Sequence, residues 1–219
     1  MIILTLVGFK KMTIGVFDEN GKIPAANLIV IEGKQDKGAT VSAEISGLSK
    51  EASKVYGSNV PYYISQKGTG DISANFGLLD LPDGANDKIL GYKVDETNGF
   101  SFLGEDTEPP YCAVLMESED LNGETAMLGL FKGKFSREAI NLNTTTNEAF
   151  EPEAEEYVFS AIANDVEGDA KGQSLVKFSG DDESKITALK ALVFPSGGVT
   201  SPVVGAVTPT TTGATVALS

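Results

Sequence analysis

Carboxylates are the only plentiful reactive groups in this chain: 31 Asp and Glu stand against 17 Lys and Arg, one cysteine and no histidine. Carboxylates can hold calcium or work in pairs on glycosidic bonds, so their spacing decides whether they do chemistry or coat a surface. The densest runs are Asn164-Asp165-Val166-Glu167-Gly168-Asp169 and Gly180-Asp181-Asp182-Glu183. Neither has the alternating ligand positions and closing bidentate Glu of a calcium loop, so both read as solvated acidic turns. Paired acids acting on a sugar want an aromatic platform beside them. With no Trp and 8% aromatic residues, a glycoside hydrolase is a weak alternative. The absence of His removes the commonest general base and the commonest metal ligand together. Cys112 sits in an apolar run and reads as a small buried hydrophobe. A single cysteine also excludes an intrachain disulfide. No P-loop, GxGxxG, HExxH or CxxC pattern occurs. The expectation is a protein that is not an enzyme and takes no cofactor and no metal.

The elements that would position any function are mostly strands. Tyr111 to Glu119 and Glu124 to Phe135 are joined through Asn122-Gly123, the strongest short-range hairpin signal. A two-residue turn there sets Leu121 opposite Glu124. One face then carries Cys112, Val114 and Met116 with Met127, Gly129 and Phe131. The other carries Tyr111, Ala113 and Leu115 with Leu128, Leu130, Lys132 and Lys134. An antiparallel pair with one side in water should alternate apolar and polar. This one is apolar on both sides, so the core covers one face and a helix or a neighbouring subunit covers the other.

Further strands are expected at Lys11 to Asp18, Leu28 to Glu32, Ala39 to Ser46, Thr69 to Leu81, Phe150 to Ala163, Leu175 to Phe178 and Ile186 to Phe194. Pro82 to about Tyr92 is the one good helix candidate, with Pro and Asp83 at its start. Gly47 to Gly70 is a long irregular excursion or extended hairpin, and such loops are usually functional or belong to an interface. The fold class is therefore mainly β, an antiparallel β-sandwich flanked by one short α-helix.

At 219 residues, with 24 Gly, 41% hydrophobic and 22% charged residues, the chain suits one turn-rich domain with an appendage. The domain spans residues 1–194. Residues 195–219 form an uncharged linker and what resembles the truncated start of an immunoglobulin-like module, expected to be disordered or loosely attached. The formal net charge of −14 would repel nucleic acid and anionic lipid. The apolar run at the N-terminus is short, with its lysines after it, which fits neither a secretory signal nor a membrane span.

Gly8-Phe9-Lys10-Lys11 followed by Thr13-Ile14-Gly15-Val16, and Leu79-Asp80-Leu81-Pro82 running to Ile89-Leu90-Gly91, form an ordered set with three later pieces. These are Pro110-Tyr111 then Ala113, Phe131-Lys132-Gly133-Lys134-Phe135, and Thr146-Asn147-Glu148-Ala149-Phe150. In order and spacing, the chain from Gly8 to Phe194 resembles the major tail protein, or tail tube protein, of long-tailed phages with non-contractile tails that infect Gram-positive bacteria. The resemblance implies a virion protein, assembled in the host cytoplasm, that self-assembles into hexameric rings stacked into a tube. It implies a tape measure protein and a tail terminator as partners, and double-stranded DNA passing through the bore without tight binding. No membrane partner is implied. Six copies at −14 each bring a formal −84, which apolar contacts and sheet pairing must overcome.

A bore that binds phosphate would slow DNA, so its wall should be small, polar and acidic. Two strand faces have that character: Thr40, Ser42, Glu44 and Ser46, and Thr69, Asp71, Ser73 and Asn75. The candidates for contact between subunits are Val55, Tyr56, Tyr62 and Tyr63 in the excursion, with Leu128 and Leu130 on the hairpin. The alternative is a monomeric, adhesin-like surface-binding sandwich.

Overall fold

The computed structural model describes residues 5–35, 37–144 and 151–196. Alternating residues make the strands β1 (Leu6–Val16), β2 (Leu28–Ile31), β3 (Ala39–Ser46), β4 (Ser53–Gly57), β5 (Val60–Ser65) and β6 (Ser73–Leu79). The helix α1 (Asp83–Leu90) follows, then β7 (Lys93–Asp95), β8 (Phe100–Phe102), β9 (Cys112–Asp120), β10 (Thr125–Ser136), β11 (Glu155–Ile162) and β12 (Leu175–Ser179), and finally α2 (Glu183–Val193).

Eight strands share one antiparallel sheet in the order β2-β1-β9-β10-β11-β6-β3, with β12 added to β10. The long β10 gives its first half to β12 and its second half to β11, along the edge that β9 leaves free. The sheet folds over so that β3 approaches β1, where the Thr40 hydroxyl donates to the Phe9 carbonyl at 2.5 Å. Between the two halves lies the main core. Met12, Ile14, Val114 and Met116 meet Phe76, Phe135, Tyr157 and Phe159, and α1 adds Ile89 and Leu90. Phe135 and Phe159 pack with ring centres 4.8 Å apart, within the range of favourable tilted aromatic pairs. The β-sandwich expectation holds, with two helices instead of one.

The hairpin turns differently from the expected two-residue loop. Thr125 stands opposite Glu119 and Leu128 opposite Met116, a register one residue from the expected one. Asp120 causes the shift: its Oδ1 accepts the backbone N–H groups of Asn122 (2.8 Å) and Glu124 (3.0 Å). That Asx-type clasp makes a three-residue loop in which only Gly123, at φ 83°, occupies the left-handed region. A slip of one residue exchanges the faces of a strand. Leu128 and Leu130 therefore join Cys112, Val114 and Met116 in the main core, while Met127 and Phe131 turn to the outer face with Ala113 and Leu115.

The outer face is covered by α2. Leu189, Val193 and the following Phe194 pack with Ala113, Leu115, Met127, Phe131 and Ile23 into a second cluster. Residues 186–194 were expected as a strand and fold instead as a helix capped by Asp182, whose carboxylate accepts from the Ser184 and Lys185 amides. Of the two covers proposed for the hairpin, the chain supplies the helix from itself.

Candidate subunit interfaces and channel face

Two ribbons stand apart from the main sheet. The expected excursion is the first. Its stem is clasped where the Gly70 amide donates to the Gly47 carbonyl at 2.9 Å and the Gln66 side chain donates to the Lys50 carbonyl at 3.1 Å. Beyond the stem β4 and β5 pair only with each other. The turn between them holds Ser58 at φ 51° and Asn59 at φ 64°, as a type I′ turn requires. Val55 lies opposite Tyr63, and Lys54 opposite Ile64. A bulge at Tyr62 breaks the alternation of β5 and sets Tyr62 beside Gly57, on the side of Val55 and Tyr63, while Tyr56 shares the face of Lys54 and Ile64. Val55, Tyr56, Tyr63 and Ile64 are all exposed, and Tyr62 is 84% exposed. Four of the six expected contact residues thus sit on one free ribbon. Leu130 is fully buried and Leu128 packs against the same core. The altered hairpin register turns both inward, so they are corrected from contact candidates to core residues.

The second ribbon, β7–β8, was not anticipated, although Asn98-Gly99 between two short apolar runs was its signal. Asp95 organises its turn by accepting the Thr97 amide at 2.9 Å and the Asn98 side chain at 2.7 Å. Those hydrogen bonds, the Asn98 side chain's first, hold the Asp95 carboxyl below its usual range. Ser101 faces the body and donates to the buried Asp87 of α1. On the other face Phe100 and Phe102 pack edge to face, with centroids 6.4 Å apart, opposite Asp95 and Lys93. Both phenylalanines are exposed, as is Leu103 just beyond.

Of the eight candidate channel residues, five share one surface. Glu44 pairs with Asn75, Ser46 with Ser73, and Ser42 with Gly77. The surface continues onto β11, where Val158 pairs with Asn75, Ser160 with Ser73 and Glu156 with Gly77. Across these three strands it carries two carboxylates and no cation. Lysines enter only at the β10 flank, where Lys134 pairs with Glu108 at 2.6 Å and Lys132 with Asp165 at 2.6 Å. Thr69 and Asp71 fall outside the strands, exposed at the root of the first ribbon. Thr40 is corrected: a bulge between Thr40 and Ser42 leaves it opposite Leu78, on the core side, where it bonds to Phe9.

A hollow of about 250 Å³ lies among Phe17, Asp18, Glu19, Tyr111, Lys132 and Asp165. Asp18 is engaged in closing a turn with the Asn20 and Lys22 amides, and Asp165 pairs with Lys132 at 2.6 Å. Lys132 and Lys134 each lie 4.8 Å from the Tyr111 ring centre. With two of its three acids engaged this way, the hollow offers no facing carboxylate pair. Among the described residues no group of three or more His, Cys, Asp or Glu could hold a metal ion, and no helix is long and apolar enough to cross a membrane.

No curated protein and no solved structure matches the chain significantly. A family model does: residues 4–196 match the one described as Phage tail tube protein.

Proposed function

The chain belongs to the phage tail tube protein family, and from that premise we propose that copies of it form hexameric rings stacked into a tube that conducts double-stranded DNA. Its role is structural and its place is the virion tail. The observation that carries the finer reading is the first ribbon, apolar on both faces, beside a main sheet whose apolar faces are closed by the chain's own elements. A free apolar ribbon is a liability in a monomer and an adhesive in an assembly. Val55, Tyr56, Tyr62 and Tyr63 are the residues that would meet another subunit.

The surface of Ser42, Glu44, Ser46, Ser73 and Asn75, extended by Glu156 and Ser160, would line the bore. It offers passing phosphates two repelling charges per subunit and no counterion to release. Thr69 and Asp71 would sit at the rim of that wall. The tape measure protein, the tail terminator, cytoplasmic assembly and a Gram-positive host belong to the same proposal and rest on the likeness to the family.

Negative-stain microscopy of concentrated protein should show rings or tubes with a central hole, and a protein that remains a featureless monomer at every concentration would refute the reading. In phage, Glu44→Lys with Glu156→Lys should leave tubes intact and slow DNA ejection on the order of tenfold at low salt, with recovery as salt rises. Ejection at the normal rate would remove this face from the bore.

A further inference from the structure

The two ribbons differ in charge as sharply as they agree in being apolar. From Lys50 to Lys67 the chain carries three lysines and one glutamate, in a protein with 31 acids and 17 cations. From Lys93 to Asp106 it carries one lysine and four acids. The first ribbon presents Tyr56 and Ile64 beside Lys54 on one face, and the second presents Phe100 and Phe102 beside Asp95 and Lys93.

We propose that the Lys54–Tyr56–Ile64 face of β4–β5 in one copy docks on the Asp95–Phe100–Phe102 face of β7–β8 in the next copy. The occupant is a second copy because each ribbon supplies what the other lacks. Two β4–β5 ribbons would set lysine against lysine, and two β7–β8 stretches, each with four acids to one lysine, would repel, so neither ribbon favours its own twin. The contact is therefore heterologous, the kind that continues from copy to copy instead of stopping at a dimer. The base of β7–β8 is held by the Ser101–Asp87 hydrogen bond to α1, so the receiving face is fixed before its partner arrives. Aromatic side chains at the centre of such a contact would supply most of its energy, and the flanking charges its direction.

The proposal rests on the tube reading, and its test separates the two. In one chain, Tyr56→Cys with Phe102→Cys should give, on oxidation of assembled tubes, a ladder of cross-linked products extending beyond the dimer. Either single variant should give none, since Cys112 is buried. Tubes that form in the double variant without cross-links would overturn the pairing and leave the tube reading standing. Dimers from Tyr56→Cys alone would show that the ribbon meets its twin, and would also overturn it. Unmodified protein that forms neither rings nor tubes would remove both.

A charge reversal guards against a cysteine pair that hinders folding. Lys54→Glu should cut sedimentable tubes about tenfold, through its charge brought against the acids of the β7–β8 stretch. A Lys54→Glu variant that assembles at the normal level would overturn the proposal.

Discussion

Asp120 is 3% exposed, and its carboxylate accepts the two amides that close the β9–β10 loop. Asp120→Ala would leave those donors without their partner inside the turn. We expect a loss of about 2 kcal/mol, read from the denaturant midpoint, with the slope unchanged. Cys112 offers a second check at this scale. Burial pushes its thiol up to about 12, and the side chain is inaccessible. It should resist alkylation at pH 8 in native protein and react fully once the chain is unfolded in denaturant. The burial of Cys112 was legible in the sequence because an apolar strand surrounds it. The register beside it was not. Asn122-Gly123 fits a two-residue turn as well as it fits a three-residue loop, and the choice falls to where the Asp120 side chain finds its donors. That one carboxylate decides whether Leu128 and Leu130 face the core or the outside.

At the scale of elements, α2 is the piece that seals the outer face of the hairpin. Leu189→Ala should cost about 3 kcal/mol by opening a cavity in the second cluster, and the variant should bind a hydrophobic dye that the parent does not. The helix start is sensitive to acid. Hydrogen bonds from the Ser184 hydroxyl first, then the Lys185 amide, hold the Asp182 carboxyl below its ordinary 3.8. A depressed carboxylate stabilises the fold above 3.8 and loses that contribution as pH falls through its folded value. Helical circular dichroism should therefore weaken below about pH 4. Asp182→Asn should retain the cap and flatten that part of the titration, whereas Asp182→Ala should lower the melting temperature at neutral pH. The spacing of Ile186, Leu189 and Val193 carried the helical period, with Asp182 as its cap. The strand expectation arose because the same nine residues are nearly all apolar or small, and a short apolar run fits either element. By contrast β3 and α1 emerged close to their expected bounds, since clean alternation and a Pro-Asp start admit few other solutions, whereas β6 begins four residues after the expected Thr69.

Across the whole molecule, the ribbon between β3 and β6 depends on one crossing. A side chain at Gly47 would lie 2.0 Å from the Asp71 carbonyl, and the residue sits at φ 72°. Gly47→Ala should therefore open the stem, speed amide exchange throughout β4–β5 and reduce assembly, while the melting of the main sheet moves little. The candidate channel face was half legible: pairing partners such as Glu44 and Asn75 follow from alternation, but the bulge that turns Thr40 inward does not. The closure of the hairpin by α2 has a thermal consequence. Dehydration of apolar surface is what gives folding its heat capacity. A subunit that completes its large apolar layers alone spends the greater part of that signature before it meets a neighbour. Folding and polymerisation should then appear in a calorimeter as two separate events, the second carrying the smaller heat-capacity step.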